Sequence, residues 1–297
     1  MATALLLAAT LAGPSCQPSP DAKPPASDSA LLAEREARLD SALSRPDTGK
    51  SREKPIARWL LPKKLREISG LALTPDGRLF AHDDEVGRVF EIDYRRGAIV
   101  KDFLLGPLVR ADFEGITVAG GSVYLLSSNG KLYEFKEGAD RERVAYHVID
   151  TGLGRQCEFE GVAFETASNS LLLACKNVWS KTLQGSLVIY RWKLGAGSQP
   201  QAAPLTVPLA RVIGANRWRS LHPSDITIDP LSGNYVLVAS VERALIELTP
   251  GGGVVFARPL PGHHSHAEGV AITKDHLLLI SDEGRAQQAA IALYRWP

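Results

Sequence analysis

Net charge is almost absent from this chain. Its 34 lysines and arginines meet 33 aspartates and glutamates, a formal +1 at neutral pH over 297 residues. No global field therefore draws it onto nucleic acid or an acidic membrane surface. An uninterrupted apolar run of about 18 residues is also missing, so no transmembrane helix is expected. Motifs of nucleophiles and phosphate cradles are lacking: there is no G-x-S-x-G, no H-E-x-x-H, no P-loop and no G-x-G-x-x-G in its proper context. Cysteine is scarce, at three residues, and any metal chemistry falls mainly to oxygen ligands.

What the chain does have is one short phrase, five times over. The copies are Ile68-Ser69-Gly70-Leu71-Ala72-Leu73, Phe113-Glu114-Gly115-Ile116-Thr117-Val118, Phe159-Glu160-Gly161-Val162-Ala163-Phe164, Pro223-Ser224-Asp225-Ile226-Thr227-Ile228 and Ala267-Glu268-Gly269-Val270-Ala271-Ile272. Most lie roughly 45 residues apart, with one longer gap before the fourth. Short β-type runs at that period predict an all-β fold, a five-bladed β-propeller of four-stranded blades. The repeats cover nearly everything from residue 56 onward, so 56–297 reads as one domain.

The N-terminal stretch reads differently. Residues 2–12 form an apolar run ending in Gly13-Pro14-Ser15-Cys16, the pattern of a secretory signal. Small residues just before Cys16 also resemble a bacterial lipobox, although Gly13 stands where that motif carries leucine and no Lys or Arg precedes the run. The expectation is export to the periplasm or the extracellular face. Lipidation of Cys16 would be the sole attachment to a bacterial membrane. Residues 17–55 have the composition of a flexible tether. Within it, residues 31–43 are patterned for a short amphipathic helix, read as a solvated spacer.

Blade 1 is legible strand by strand. Residues 68–73 form the inner strand, and Thr74-Pro75-Asp76-Gly77 supplies turn chemistry. Residues 78–82, 88–93 and 98–104 complete the sheet. Blade 5 runs out of chain after its third strand, over residues 290–296. Residues 56–61 have no other partner, and placing them as the outer strand of blade 5 closes the ring and removes an exposed edge.

An inner strand begins, and its returning strand ends, on the same face of a propeller. One expected tier at that channel mouth is Ser69, Glu114, Glu160, Ser224 and Glu268. Two residues earlier stand Glu67, Asp112, Glu158, His222 and His266, which share an orientation if the strand already alternates there. The turns add Asp83, Asp84, Glu85, Asn129, Asn177, Glu242, Asp282 and Glu283. Carboxylates in that number repel one another unless a cation or bound protons relieve them. Oxygen donors with few thiols favour calcium. The expected metal ligands are Glu114, Glu160, Glu268, Asp112, Glu158 and Glu67, with His222 and His266 as candidate general bases. Ser69 and Ser224 occupy glutamate positions of the repeat, which favours a ring role over nucleophilic catalysis.

Basic residues surround this face: Lys63, Lys64, Arg66, Arg110, Arg155, Arg217, Arg219, His263 and His264. Such a rim would suit a small anionic ligand. A longer turn in blade 3, residues 176–185 with Trp179 and Lys181, is a candidate lid. Cys157 and Cys175 fall roughly opposite each other in that blade, so an exported protein would join them in a cross-strand disulfide.

The phrases Glu67-Ile68-Ser69-Gly70, Asp112-Phe113-Glu114-Gly115, Cys157-Glu158-Phe159-Glu160-Gly161, His222-Pro223-Ser224-Asp225 and Glu268-Gly269 occur in order. With them stand Asp83-Asp84-Glu85 and Ser281-Asp282-Glu283-Gly284. Together they resemble the SdiA-regulated family of exported bacterial proteins over about residues 56–297. The resemblance implies a five-bladed propeller, distantly similar to NHL-repeat proteins, with a calcium site and no defined activity. The expected function is a lipid-anchored, monomeric calcium-binding propeller that presents its channel mouth to an anionic ligand or an envelope protein. The alternative is a calcium-dependent hydrolase of phosphoesters or lactones, in which the metal polarises the scissile group and activates water.

Overall fold

In the computed structural model, residues 28–195, 203–285 and 287–297 are described. The leader, Cys16 and the first part of the tether lie outside them. The chain forms five sheets arranged as the blades of a β-propeller, as the repeats predict. Their inner strands are Ile68–Leu73, Phe113–Ala119, Cys157–Glu165, Asp225–Ile228 and Ala267–Ile272.

Each inner strand returns through a tight turn. In blade 1 the Gly77 N–H donates to the Thr74 carbonyl at 2.9 Å, and Gly77 takes φ 88°. That left-handed conformation is one glycine reaches without steric cost. Between neighbouring sheets, alternate side chains interdigitate into apolar clusters. One spans blades 1 and 2 with Phe80, Phe103, Phe113, Ile116, Leu125 and Phe135. Its rings meet edge to face, at centroid distances of 6.3 Å for Phe80–Phe103 and 6.1 Å for Phe103–Phe135.

The ring closes as expected. Ala57–Leu60 is the outer strand of blade 5, antiparallel to Ala290–Arg295, with Ala57 opposite Leu293 and Leu60 opposite Ala290. Hydrogen bonds continue past both ends, from Ile56 N–H to Leu293 O and from Leu61 N–H to Ala289 O, each 2.8 Å. Blade 1 gains an unforeseen fifth strand, Arg143–Val144, which pairs in parallel with Ala98–Leu105. This piece of the blade 2 connection covers what would otherwise be an open edge.

The helix read as a solvated spacer is docked instead. It spans Asp28–Leu43, and its Leu39 is fully buried in a cluster with Trp59, Leu61 and Leu293. Arg35 donates to the carbonyls of Arg96 at 2.9 Å and Gly97 at 3.3 Å. At the other end Arg295 donates to Ala42 O, Leu43 O and Arg45 O. These bonds satisfy the carbonyls that a helix C-terminus leaves orphaned.

Candidate functional site

Four of the five inner strands carry a β-bulge at the repeated phrase. The register slips between Ile68 and Leu71, Phe113 and Gly115, Phe159 and Val162, and Ala267 and Gly269. Each bulge inserts an extra residue at or beside the position of Ser69, Glu114, Glu160 or Glu268. A bulge re-aims its side chain and breaks the two-residue alternation of the strand. The strict alternation on which the second tier rested therefore fails at these four phrases. Asp112 is exposed while Glu114 is largely covered, and Glu158 turns aside to accept a 2.7 Å bond from Asn177.

Glu114, Glu160 and Glu268 do face one another at the channel mouth. Burial and the neighbouring Glu160 charge push the Glu114 carboxyl well above the ordinary range. Burial likewise raises Glu160, although the Lys176 ammonium is paired with it and pulls the other way. Glu268 is pushed up to about 7, by burial and then by Glu283. A half-buried ammonium thus serves this tier, and Lys176 was not among the expected site residues.

A second group of acidic side chains joins blades 1 and 5. Oxygens of Glu67, Asp84 and Glu283 all lie within 4.8 Å of one another. Two ligands of one calcium ion, each about 2.4 Å from it, are at most about 4.8 Å apart, so the group has the right size. It also has the right chemistry, with hard oxygens and no thiol or imidazole. Asp84 Oδ1 is buried and receives no hydrogen bond. Burial, then the charges of Asp83, Glu67 and Glu283, push the Asp84 carboxyl up to about 7. Burial and a hydrogen bond with Glu283 raise Glu67 as well. Partial relief comes from Arg285, 2.6 Å from Glu283, and Arg66, 3.3 Å from Glu67. Of these three carboxylates, only Glu67 belonged to the expected ligand set.

The remaining candidates fall into separate environments. His222 is held by Glu242, which accepts from its backbone N–H at 3.0 Å and lies 2.7 Å from Nδ1. His266 is half-buried, its backbone tied to Asp282 and Glu283. Ser224 donates to Ala267 O at 2.6 Å, and Ser69 O accepts from Ser281 at 3.1 Å. Both serines therefore belong to contacts between blades. His264 does not stand on the rim: it is buried between Asp282, at 2.9 Å, and the Tyr294 hydroxyl, at 2.8 Å. Lys64 is paired with Asp102, whereas Arg155, Arg217 and Arg219 are exposed.

Blade 3 departs from the expected outline. Its return strand, Ser170–Val178, runs into the expected lid and puts Cys175 opposite Phe159 rather than Cys157. The bulge brings the two cysteines together all the same, joined by a disulfide with Cα atoms 5.7 Å apart. Beyond the strand, Trp179 is 52% exposed, and its backbone N–H donates to Gln156 O.

Two buried groups went unnoticed in the sequence. His82 is fully buried, accepts the Gly70 N–H at Nε2 and is pushed down by burial to about 4. Asp225 is fully buried near the channel axis. Its carboxylate accepts from Ile226 N–H at 2.8 Å, Val270 N–H at 2.8 Å and Leu71 N–H at 3.4 Å, tying blade 4 to blades 5 and 1. The signal was present: Asp225 fills a glycine position of the repeat.

No protein-family model matches the chain, and no curated protein matches it in sequence. Solved structures do. A glutaminyl cyclase from Myxococcus xanthus aligns over 81% of this chain and 94% of its own, at 14% identity and a TM-score of 0.53. A PQQ-bound aldose sugar dehydrogenase from Streptomyces coelicolor aligns over 80% and 98%, at 12% identity and a TM-score of 0.47. A virginiamycin B lyase from Staphylococcus aureus aligns over 80% and 72%, at 15% identity and a TM-score of 0.44. At such identities the likeness concerns architecture alone: the chain shares a β-propeller fold with the glutaminyl cyclase.

Proposed function

We propose that this chain is an exported, lipid-anchored β-propeller of the SdiA-regulated type that binds calcium at the acidic end of its channel. There it presents an anionic ligand or an envelope protein with a binding face. The observation that carries the metal reading is the Glu67–Asp84–Glu283 group with its unpartnered Asp84 oxygen. These three side chains would hold the ion, whose charge would relieve their repulsion and tie blade 1 to blade 5. Exposed Arg155, Arg217 and Arg219 support an anionic ligand.

Calcium titration followed by thermal melting tests this. A ligand that binds only the folded state stabilises it by mass action, about 2.7 kcal/mol at one hundred times Kd. Asp84→Asn keeps the shape and removes the charge, so calcium should no longer raise the melting temperature. An undiminished calcium response in that variant would refute the site.

One observation favours the hydrolase reading. The Glu242 carboxylate orients His222 through Nδ1, leaving Nε2 available as a general base. Turnover of a phosphoester or lactone that His222→Gln abolishes, with calcium binding retained, would establish that reading. Calcium binding without turnover across such a panel leaves the binding module.

A further inference from the structure

At the end of the channel opposite the carboxylates lies a funnel of about 590 Å³. All five inner strands wall it, and Leu73, Val118, Phe164 and Ile228 line it while only partly buried. Its rim is made by the turns that follow those strands, including Lys274 and Asp275. Towards the acidic end Asp225 fills the space near the axis. Its carboxylate is already engaged by three backbone N–H groups, so it offers a polar ligand little at depth. The funnel wall is thus mainly apolar, with Thr117 and Thr227 as its polar positions within the strands, and its mouth is polar.

That polarity selects an amphiphile with one apolar tail. The volume sits within the range of about 300–1,000 Å³ typical of small-molecule sites. At about 30 Å³ per water-sized unit, it holds about twenty methylene-sized groups, room for one long acyl chain with its head at the rim. The course of the chain supplies a source for such a tail. Arg35 of the docked helix is bonded to Arg96 O and Gly97 O, in the turn after the third strand of blade 1. Tyr94 of the same turn lines the funnel. The segment that precedes Asp28 therefore joins the propeller through a helix tied to the funnel side. Cys16 is twelve residues earlier, a reach of at most about 40 Å. A lipid at Cys16 would hold this end of the propeller near the membrane surface.

We propose that the funnel is a binding site for a single fatty acyl chain of a membrane lipid. The choice of occupant rests on the anchored reading of Cys16, while the cavity does not depend on it or on calcium.

The test uses the full chain carrying Cys16→Ser, titrated with a fluorescent sixteen-carbon fatty acid. Saturable binding at one probe per chain is expected, with displacement by unlabelled palmitate. Val118→Asp and Ile228→Asp place charges on the half-exposed wall and should each weaken binding at least tenfold, whereas Asp84→Asn should leave it unchanged. Phe164→Trp supplies a reporter that does not depend on those variants folding: the indole emission it adds should be quenched by energy transfer to the bound probe. Failure of the wild-type wall to bind the probe, or equal binding by folded Val118→Asp and Ile228→Asp, would overturn the proposal. So would unquenched emission from the indole added by Phe164→Trp at saturating probe. A funnel that binds while Asp84→Asn retains its calcium response would separate the two ends and refute only the metal reading.

Discussion

Asp225 stands where the other four inner strands have glycine, and the geometry explains both choices. A Cβ on Gly115 would lie 2.8 Å from Val162 N, and one on Gly161 would lie 2.7 Å from the Asp225 Cα. Inner strands that approach so closely cannot all carry side chains, whereas a single carboxylate can lie among them and take three N–H bonds. The acidic tier beside it carries a pH signature. Burial and mutual charge raise Glu114 above its ordinary value of 4.5. A raised carboxyl retains its proton in the folded state at a pH where the unfolded chain has lost it. Stability is therefore greatest below that ordinary value and falls as pH rises through the folded-state value. Glu114→Gln removes this titration, so its melting temperature should fall less than that of wild type between pH 5 and pH 8. Parallel profiles would show that folding does not raise the Glu114 carboxyl. The same variant should keep the calcium response that Asp84→Asn loses.

At the scale of elements, the docked helix and the bulges were the parts least legible in sequence. The Asp28–Leu43 helix buries one leucine completely, and much of its remaining attachment is ionic: Glu36 to Arg96 and Asp40 to Arg95. A helix so polar around its circumference resembles a spacer by pattern, because its anchoring partners lie roughly 60 residues away. Leu39→Ala should cost about 3 kcal/mol, the usual order for a fully buried leucine. The exposed Leu31→Ala should change stability by less than about 0.5 kcal/mol. Denaturant midpoints of the two variants decide this, and equal midpoints would mean that the helix is not packed in solution.

Ring closure is a property of the whole molecule. The strand Ala290–Arg295 has its outer hydrogen-bonding edge covered by Ala57–Leu60, a segment more than two hundred residues distant. Removing residues 1–62 would expose that edge along with Ile291 and Leu293, which are now fully buried. The truncated chain should aggregate by edge pairing, visible as a high-mass species in size-exclusion chromatography. A monomeric truncation with unchanged melting would show that the propeller holds without its closing strand.

The blades could be read from the residues without any structure, because a propeller is a local unit repeated. Each phrase carries its own turn and its own alternation, four of the five carry the glycine, and blade number follows from counting. Residues 56–61 stood out as the missing strand for the same reason, since the fifth repeat ended one strand short. The acidic end was legible only as a region. Glu114, Glu160 and Glu268 recur in register, yet the structure gives them Lys176 as a companion and gathers Glu67, Asp84 and Glu283 elsewhere. Strand alternation could not foresee this, because the bulge at four of the five phrases turns the side chain by an amount that depends on pairing with the next strand. Which carboxylates meet is set where blade 1 closes against blade 5, between Glu283 and residues about two hundred positions earlier. Proximity of that kind arises from the folded ring and from no local pattern in the chain.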